Sequence, residues 1–198
     1  MPLAPPLIEA MPDTDVGPRL LRLAREAIAH HLGLGPAPSP DGHPALDERG
    51  ATFVTLTVAG ELRGSVGSMR RTRSLAADVI ANAIAACQDP RFPVLDAAAF
   101  AQSEIEVSLL DEPEFIDFAD EAGLLRQLRP QQDGVMLFAG CRGVTLLPHM
   151  WAQLPRPELF LAALKEKAGI PLERPVDGLM AARYGVSTWR TDDGKPAS

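Results

Sequence analysis

The residues of this chain whose types and spacing best suit chemistry or binding lie in the hexapeptide LRGSVG, residues 62–67. Arg63 offers a permanent cation and Ser65 a hydroxyl, while Gly64 and Gly67 leave two gaps in the side-chain cover of a strand. These features predict a surface that holds a small molecule or a partner. A twisted hairpin with one solvated arginine has the same sequence pattern, so the hexapeptide alone leaves both interpretations open.

A second candidate region is the sequence DPRFP, residues 89–93. Each proline disfavours helix at the residue before it, so we predict a stiff, extended corner that holds Asp89 and Arg91 firmly. These two side chains either pair with each other or face a cleft that they share with Arg63. His149, in the later sequence PHMW, is a further candidate binding residue.

Glu104 and Glu106 stand at i and i+2 in the alternating sequence EIEVSLL and therefore share one face of a predicted strand. A general acid/base pair requires this arrangement, and the wet face of an ordinary strand also produces it. The sequence does not decide between the two.

The charge balance disfavours nucleic-acid binding. The net charge is −7 and the pI is near 5.1, so a duplex-binding surface would need a strong local basic patch. The best candidate patch is Arg70-Arg71-Thr72-Arg73, which is also a common composition for a solvated loop.

No metal or cofactor motif is present in the sequence. Cys87 and Cys141 lack metal-ligand spacing, and the four histidines are scattered. We expect Cys87 to be a buried, inert thiol and Cys141 to lie in a turn. No nucleotide-binding glycine loop is found, and no apolar run approaches 18 residues. We therefore expect no cofactor, no contact with a membrane and a cytoplasmic location.

The elements that must position these residues begin with a β-hairpin. Alternation predicts strands over Thr52–Val58 and Leu62–Ser68 around a glycine turn, with the second strand central or near-central in its sheet. We place Val54, Leu56 and Val58 on the core face, together with Leu62, Gly64 and Val66 of the second strand or with the neighbours of these three residues.

Helix signals alternate with further strands along the rest of the chain. The predicted helices are Pro18–His31, Ser74–Gln88, Asp96–Ala101, Asp120–Leu128 and Pro157–Ala168, and the predicted strands are Glu104–Leu110, Gly134–Ala139, Gly143–Leu147 and Ala182–Trp189. Residues 36–48 are predicted to be a surface loop without a helix, and the acidic, proline-broken residues 112–118 are assigned no element. Hairpins with irregularly interspersed helices predict an α+β fold rather than a doubly wound parallel sheet. We interpret residues 1–16 as a mobile tail, 17–190 as one domain and 191–198 as a polar tail.

Several segments together resemble one known family. LRGSVG resembles the LRGCIG motif of the AMMECR-domain family, whose prokaryotic members are also called AmmeMemoRadiSam system protein A. GATFVTL, DPRFP, EVSLL, GVTLLP and FLAALKEKAGI follow in the order of that family. The resemblance spans about residues 17–190, and several independent motifs in register make a chance match improbable.

The resemblance implies an α+β fold in which helices flank an antiparallel sheet, with a smaller lobe and a cleft between the two. It brings no established reaction. Prokaryotic members are similar to proteins encoded beside a Memo-type protein and a radical S-adenosylmethionine enzyme, so the resemblance implies a pathway shared with these two proteins. Arg63, Gly64 and Gly67 match the motif, but Ser65 replaces its usual cysteine, so a mechanism that needs a thiolate there is in doubt.

Three functions follow from these observations. The first is an accessory protein that binds a small molecule or a partner in that radical-enzyme system. The second is an enzyme that acts on a small substrate through Arg63, Ser65, Asp89, Arg91 or His149. The third is a nucleic-acid-binding protein, which the acidic charge disfavours.

Overall fold

The computed structural model describes residues 16–191. The chain has an α+β fold of helices and antiparallel sheets, as the sequence predicts. It forms two compact units, of which the first contains residues up to Ser108 and from Thr188, and the second contains Leu109–Ser187. The predictions for residues 1–15 and 192–198 lie outside the described residues. Val16 already belongs to the first helix and is buried, and the Thr191 N–H donates to the Ile105 carbonyl.

The regular elements from Val16 to Leu110 are α1 (Val16–His31), α2 (Pro44–Asp47), β1 (Arg49–Gly50), β2 (Thr52–Val58), β3 (Glu61–Gly67), β4 (Arg73–Ser74), α3 (Leu75–Cys87), α4 (Ala97–Ala101) and β5 (Ser103–Leu110). Those that follow are β6 (Glu114–Ile116), α5 (Glu121–Leu125), β7 (Gly134–Ala139), β8 (Arg142–Leu146), a 3₁₀ helix (Pro148–Ala152), α6 (Pro157–Ala168), β9 (Met180–Tyr184) and β10 (Val186–Arg190).

The first unit is built on a four-stranded sheet with the order β10-β5-β2-β3. Helix α3 packs on β2 and β3, and α1 packs on α3. The core between helices and sheet consists of fully buried aliphatic side chains: Leu20, Leu23, Ile28, Val54, Leu56, Val79, Ile105 and Val107. As predicted, the Ser74 hydroxyl caps α3 by accepting the Ala77 N–H.

The predicted hairpin is confirmed, with one irregularity. β2 and β3 pair antiparallel, and Val54 faces Val66 while Leu56 faces Gly64. The register then shifts, so that Thr57 faces Leu62 and Arg63 is left as the extra residue of a β-bulge. The bulge moves Leu62 off the core face, where we had placed it, and leaves its side chain 42% exposed.

The prediction that the LRGSVG strand is central or near-central was wrong, because β3 is an edge strand of the sheet. An edge strand presents backbone groups without a neighbouring strand, which proteins protect by other means. At Ser65 the protection comes from side chains distant in sequence.

The segment from residue 36 to 48 contains a helix that the sequence did not predict. In α2, His43 Nδ1 accepts the Ala45 N–H as an N-cap, and Leu46 is fully buried. The turn is so short that the proline-rich composition around it hides its helical signal.

The predicted last strand is two strands that belong to different sheets. β9 pairs with β6 and β7, whereas β10 lies beside β5, and the break falls at Gly185. The Asp111 N–H donates to the Gly185 carbonyl, and a Cβ at Gly185 would lie 2.2 Å from the Asp111 carboxylate. This close approach explains why glycine stands at the break.

The second unit is built on a sheet with the order β6-β9-β7-β8, on which α6 packs through β7 and β8. The rings of Trp151 and Phe160 stack in its core with centroids 3.8 Å apart. Gly169 ends α6 in the left-handed conformation, as the sequence predicts.

Candidate functional site

The space beside the two glycines of LRGSVG is filled by other atoms of the protein. A Cβ at Gly64 would lie 2.0 Å from the backbone oxygen of Ala86 in α3, so this glycine lets helix and strand approach closely. A Cβ at Gly67 would lie 2.2 Å from the Phe53 ring. The gaps predicted as openings for a ligand are therefore occupied by internal packing.

The side chains of Asp89 and Arg91 form hydrogen bonds with the backbone of Ser65 on the open edge of β3. The Ser65 N–H donates to Asp89 Oδ2 at 3.1 Å, and Arg91 Nη2 donates to the Ser65 carbonyl at 2.9 Å. The two side chains also pair with each other, with Arg91 Nη2 2.6 Å from Asp89 Oδ2. One ion pair thus takes the place of the missing neighbouring strand at this residue.

The Arg91 guanidinium and the N–H groups of Ser65 and Arg91 hold the pKa of the buried Asp89 carboxyl well below its usual range, although burial opposes them. Asp89 is therefore an anion at neutral pH, with its acceptor capacity used by this chain. Of the two alternatives that the sequence left open, the structure shows mutual pairing. The proposal that this pair and Arg63 line one cleft stays a prediction.

The DPRFP segment is a turn rather than the extended corner that we predicted. Asp89 Oδ1 accepts the Arg91 N–H at 3.1 Å, and the Phe92 N–H donates to the Asp89 carbonyl at 3.1 Å. Asp at the first position and Pro at the second favour this tight turn, and the rule that a proline disfavours helix before it does not detect it.

A second buried polar cluster, which the sequence analysis missed, holds the other end of β3. Asp78 is fully buried and accepts from the backbone and hydroxyl of Thr52, both at 2.8 Å, and from the Ser68 hydroxyl at 2.7 Å. Asn82 donates to the Thr52 carbonyl, and Arg73 donates to Asp78. Two polar residues at i and i+4 in an otherwise apolar helix were the available signal.

Arg63 and Ser65 lie on the face of β3 opposite to Gly64 and α3. The Ser65 hydroxyl lies 3.0 Å from that of Thr55 on β2. Arg63 is one-third exposed, and its ionic contact, with Glu61, is loose at 3.7 Å. Its Nε is buried and has no hydrogen-bond partner within residues 16–191. A buried donor without an acceptor is costly, so a shift of the Arg63 side chain that brings this N–H group to an acceptor would be favourable.

A small groove opens on the same sheet, over β2 and β5. Its volume is about 200 Å³, and it is lined by Thr55, Thr57, Gly60, Glu104, Ile105, Glu106 and Arg190. Arg190 binds Glu106 at 2.5 Å, and the Thr57 hydroxyl lies 3.5 Å from Glu104. The predicted pair of carboxylates thus lies on the wall of a groove, with one member neutralised by an arginine.

His149 lies in the second unit, in the 3₁₀ helix, where it is exposed. The structure brings together Ser65, Asp89 and Arg91 of the predicted set and places Arg63 two residues along the same strand.

The basic cluster at residues 70–73 is partly used in internal contacts, since Arg73 pairs with Asp78 and Arg71 donates to the Arg49 carbonyl. These bonds reduce its value as a nucleic-acid surface.

The structure also bears on the remaining chemical classes. Cys87 is buried as predicted, and burial raises its pKa to about 11, whereas Cys141 is exposed. Within the described part of the chain, no three His, Cys, Asp or Glu side chains come together in a way that could hold a metal ion. Between residues 16 and 191, no helix is long and apolar enough to cross a membrane.

Fold and motifs together define an α+β domain organised around an LRGSVG edge strand. Residues 21–189 match the AMMECR1 family, and the chain belongs to that family. A protein of Methanothermobacter thermautotrophicus is 34% identical over 161 residues, which cover 79% of this chain and 84% of the relative. Protein PH0010 of Pyrococcus horikoshii is 34% identical over 168 residues, which cover 78% of this chain and 79% of the relative.

The crystal structure of the uncharacterized protein PH0010 resembles the present fold, with a TM-score of 0.79 and 29% identity. The superposition covers 88% of this chain and 90% of that one. The resemblance to the AMMECR domain and its α+β fold are thereby confirmed.

Proposed function

We propose that this AMMECR1-family protein is a cytoplasmic accessory component that binds a small molecule or a partner protein through the exposed face of β3 around Arg63 and Ser65. The proposal extends to the AmmeMemoRadiSam system protein A role, in which the partners are a Memo-type protein and a radical S-adenosylmethionine enzyme. That extension rests on the sequence resemblance.

One observation carries the binding role. The Nε of Arg63 is buried without a hydrogen-bond partner in the described residues. Asp89 and Arg91 bind the backbone of its strand at Ser65, and Asp78 accepts from the side-chain hydroxyl of Ser68, directly after the strand. A bulge residue on an immobilised strand presents its side chain at low entropic cost. A carboxylate, phosphate or carbonyl oxygen from a ligand would bind the exposed part of the Arg63 guanidinium, and a shift of the side chain would bring Nε to the same acceptor group.

Catalysis has less support than binding. The Ser65 hydroxyl contacts another hydroxyl, that of Thr55, whereas a serine nucleophile needs a base within hydrogen-bond reach. Asp89 binds the backbone of Ser65 rather than its side chain. The site therefore supports recognition without a chemical step by Ser65.

The test measures binding of the purified chain to the Memo-type protein and the radical enzyme of the same genome by biolayer interferometry. It also measures thermal stabilisation by inorganic phosphate, acetate and citrate. We expect at least one of these probes to bind, with a loss of tenfold or more for Arg63→Ala and a smaller loss for Arg63→Lys. Arg142→Ala, which removes an exposed arginine of the second unit, is the matched control. Failure of every probe, or equal binding by the two alanine variants, would contradict the proposal. Turnover of a small substrate that is lost in folded Arg63→Ala would favour the enzyme instead.

A further inference from the structure

The groove over β2 and β5 has a charge pattern that differs from that around Arg63. Glu106 is neutralised by Arg190, with Nε and Oε2 2.5 Å apart. Glu104 is exposed, and its carboxylate accepts a long hydrogen bond of 3.5 Å from the Thr57 hydroxyl. The groove therefore holds one ion pair and one further carboxylate, and its net charge is negative.

The other lining groups are suited to hydrogen bonding. Thr55 and Thr57 come from alternate positions of β2 and present two hydroxyls on the face where Glu104 and Glu106 project from β5. A hydroxyl both donates and accepts, so each threonine retains capacity beyond the single bond that it makes here. Gly60, in the β2–β3 turn, also lines the groove and places no side chain in it.

The dimensions limit the ligand. A groove of about 200 Å³ lies below the usual range for drug-sized ligands and suits a smaller molecule. Divalent metal binding is disfavoured by the donor set itself, because the Arg190 guanidinium already occupies one of the two carboxylates. A compact organic cation needs only one carboxylate and neighbouring hydroxyls.

We propose that this groove is a binding site for a small hydroxylated primary amine, whose ammonium group pairs with Glu104 and whose hydroxyls bond to Thr55 and Thr57. Glu106 and Arg190 form the fixed wall of the site. The inference goes beyond the proposed function, because it concerns a second group of residues on the sheet and a ligand of opposite charge.

The experiment uses pairs of molecules that differ only in an ammonium group. Ethanolamine is compared with ethylene glycol, 5-amino-1-pentanol with 1,5-pentanediol, and glucosamine with glucose, by titration of the ¹⁵N-labelled full chain at pH 7. We expect at least one amine to bind ten times or more tightly than its neutral partner. The shifted amide signals should include those of Thr57 and Gly60, and binding should weaken as salt is raised.

Variants assign the preference to one carboxylate. Glu104→Gln should abolish the difference between amine and neutral partner, and Glu112→Gln, which neutralises another exposed glutamate, should leave it unchanged. Equal binding within every pair, absence of binding by all amines, or a preference that survives Glu104→Gln would overturn the inference. The proposed function is measured on Arg63 with anions and partner proteins, so the two can fail separately.

Discussion

Replacing Asp89 by Asn tests whether the ion pair on the edge of β3 holds the LRGSVG strand in place. Asp89 is 4% exposed, and its carboxylate accepts from two backbone N–H groups and from the Arg91 guanidinium. Asparagine keeps one acceptor oxygen and turns an NH₂ group toward donors, so at least two charge-assisted contacts are lost. Each contributes about 1.5 to 3 kcal/mol when buried. Arg91 is 60% exposed, so solvent screening reduces the contribution of its contacts with Asp89 to the free energy of unfolding. We therefore expect the free energy of unfolding to fall by about 3 kcal/mol.

The pH dependence gives this prediction a second, independent measurement. Folding lowers the pKa of Asp89, so the stabilisation is fully present above the unfolded pKa of about 4 and is lost as the pH falls through the folded pKa. Urea unfolding followed by circular dichroism should show a constant gap between wild type and Asp89→Asn from pH 6 to 8. The gap should narrow below about pH 4.

Asp96→Asn is the control, because Asp96 is an exposed N-cap and asparagine caps helices equally well. A loss below about 1 kcal/mol for Asp89→Asn would refute the proposed role of the pair, since a loss of that size is typical of an exposed ion pair. A gap that stays constant down to pH 3 would show that the charge of Asp89 is not responsible.

Three further predictions concern buried positions. Gly64→Ala should lower the free energy of unfolding by about 2 kcal/mol or more in urea titrations, because its Cβ would meet the backbone oxygen of Ala86 at 2.0 Å; a neutral effect would mean that α3 shifts freely. At pH 8 a thiol reagent should label Cys141 rapidly and Cys87 only upon unfolding, since burial raises the pKa of Cys87 to about 11; two fast equivalents would contradict this. Tyr184→Phe should cost about 1 kcal/mol through the hydrogen bond of its buried hydroxyl, and absorbance titration should place the pKa of Tyr184 near 12.

The sequence predicts those parts of the fold that depend on local chemistry. Ser74 and Asp96 cap helices, and Gly169 ends one. The alternation of apolar and polar residues over Thr52–Val58 predicts a strand with one buried face. These signals act within a few residues, so they can be read along the chain.

The errors arise where a distant residue decides the structure. β3 is an edge strand, and its backbone at Ser65 is satisfied by the side chains of Asp89 and Arg91, about two dozen positions further on. The bulge at Arg63 and the break at Gly185 likewise depend on cross-strand register and on contact with Asp111. No local propensity encodes such pairings.

The candidate site was predicted in part for the same reason. The types of Arg63, Ser65 and Glu104 suggested chemistry, but the partners of Ser65 and Glu104, Thr55 and Thr57, come from another strand. The groove, in particular, needs Arg190 from the last strand beside Glu106 of β5. Asp78 and Asn82 were missed because they sit in a helix whose apolar stripe dominated the interpretation.

The position of β10 in the first sheet has a consequence for synthesis on the ribosome. β5 is made long before β10, and residues 109–187 of the second unit are translated in between. At typical elongation rates, one edge of β5 waits about 4 to 16 s for its partner. During that time its unpaired backbone is open to other chains. A premature stop codon just before β10 would remove this strand and all that follows it. That edge would stay permanently bare, and the Trp189 ring, which packs against Gly17 of α1, would be lost.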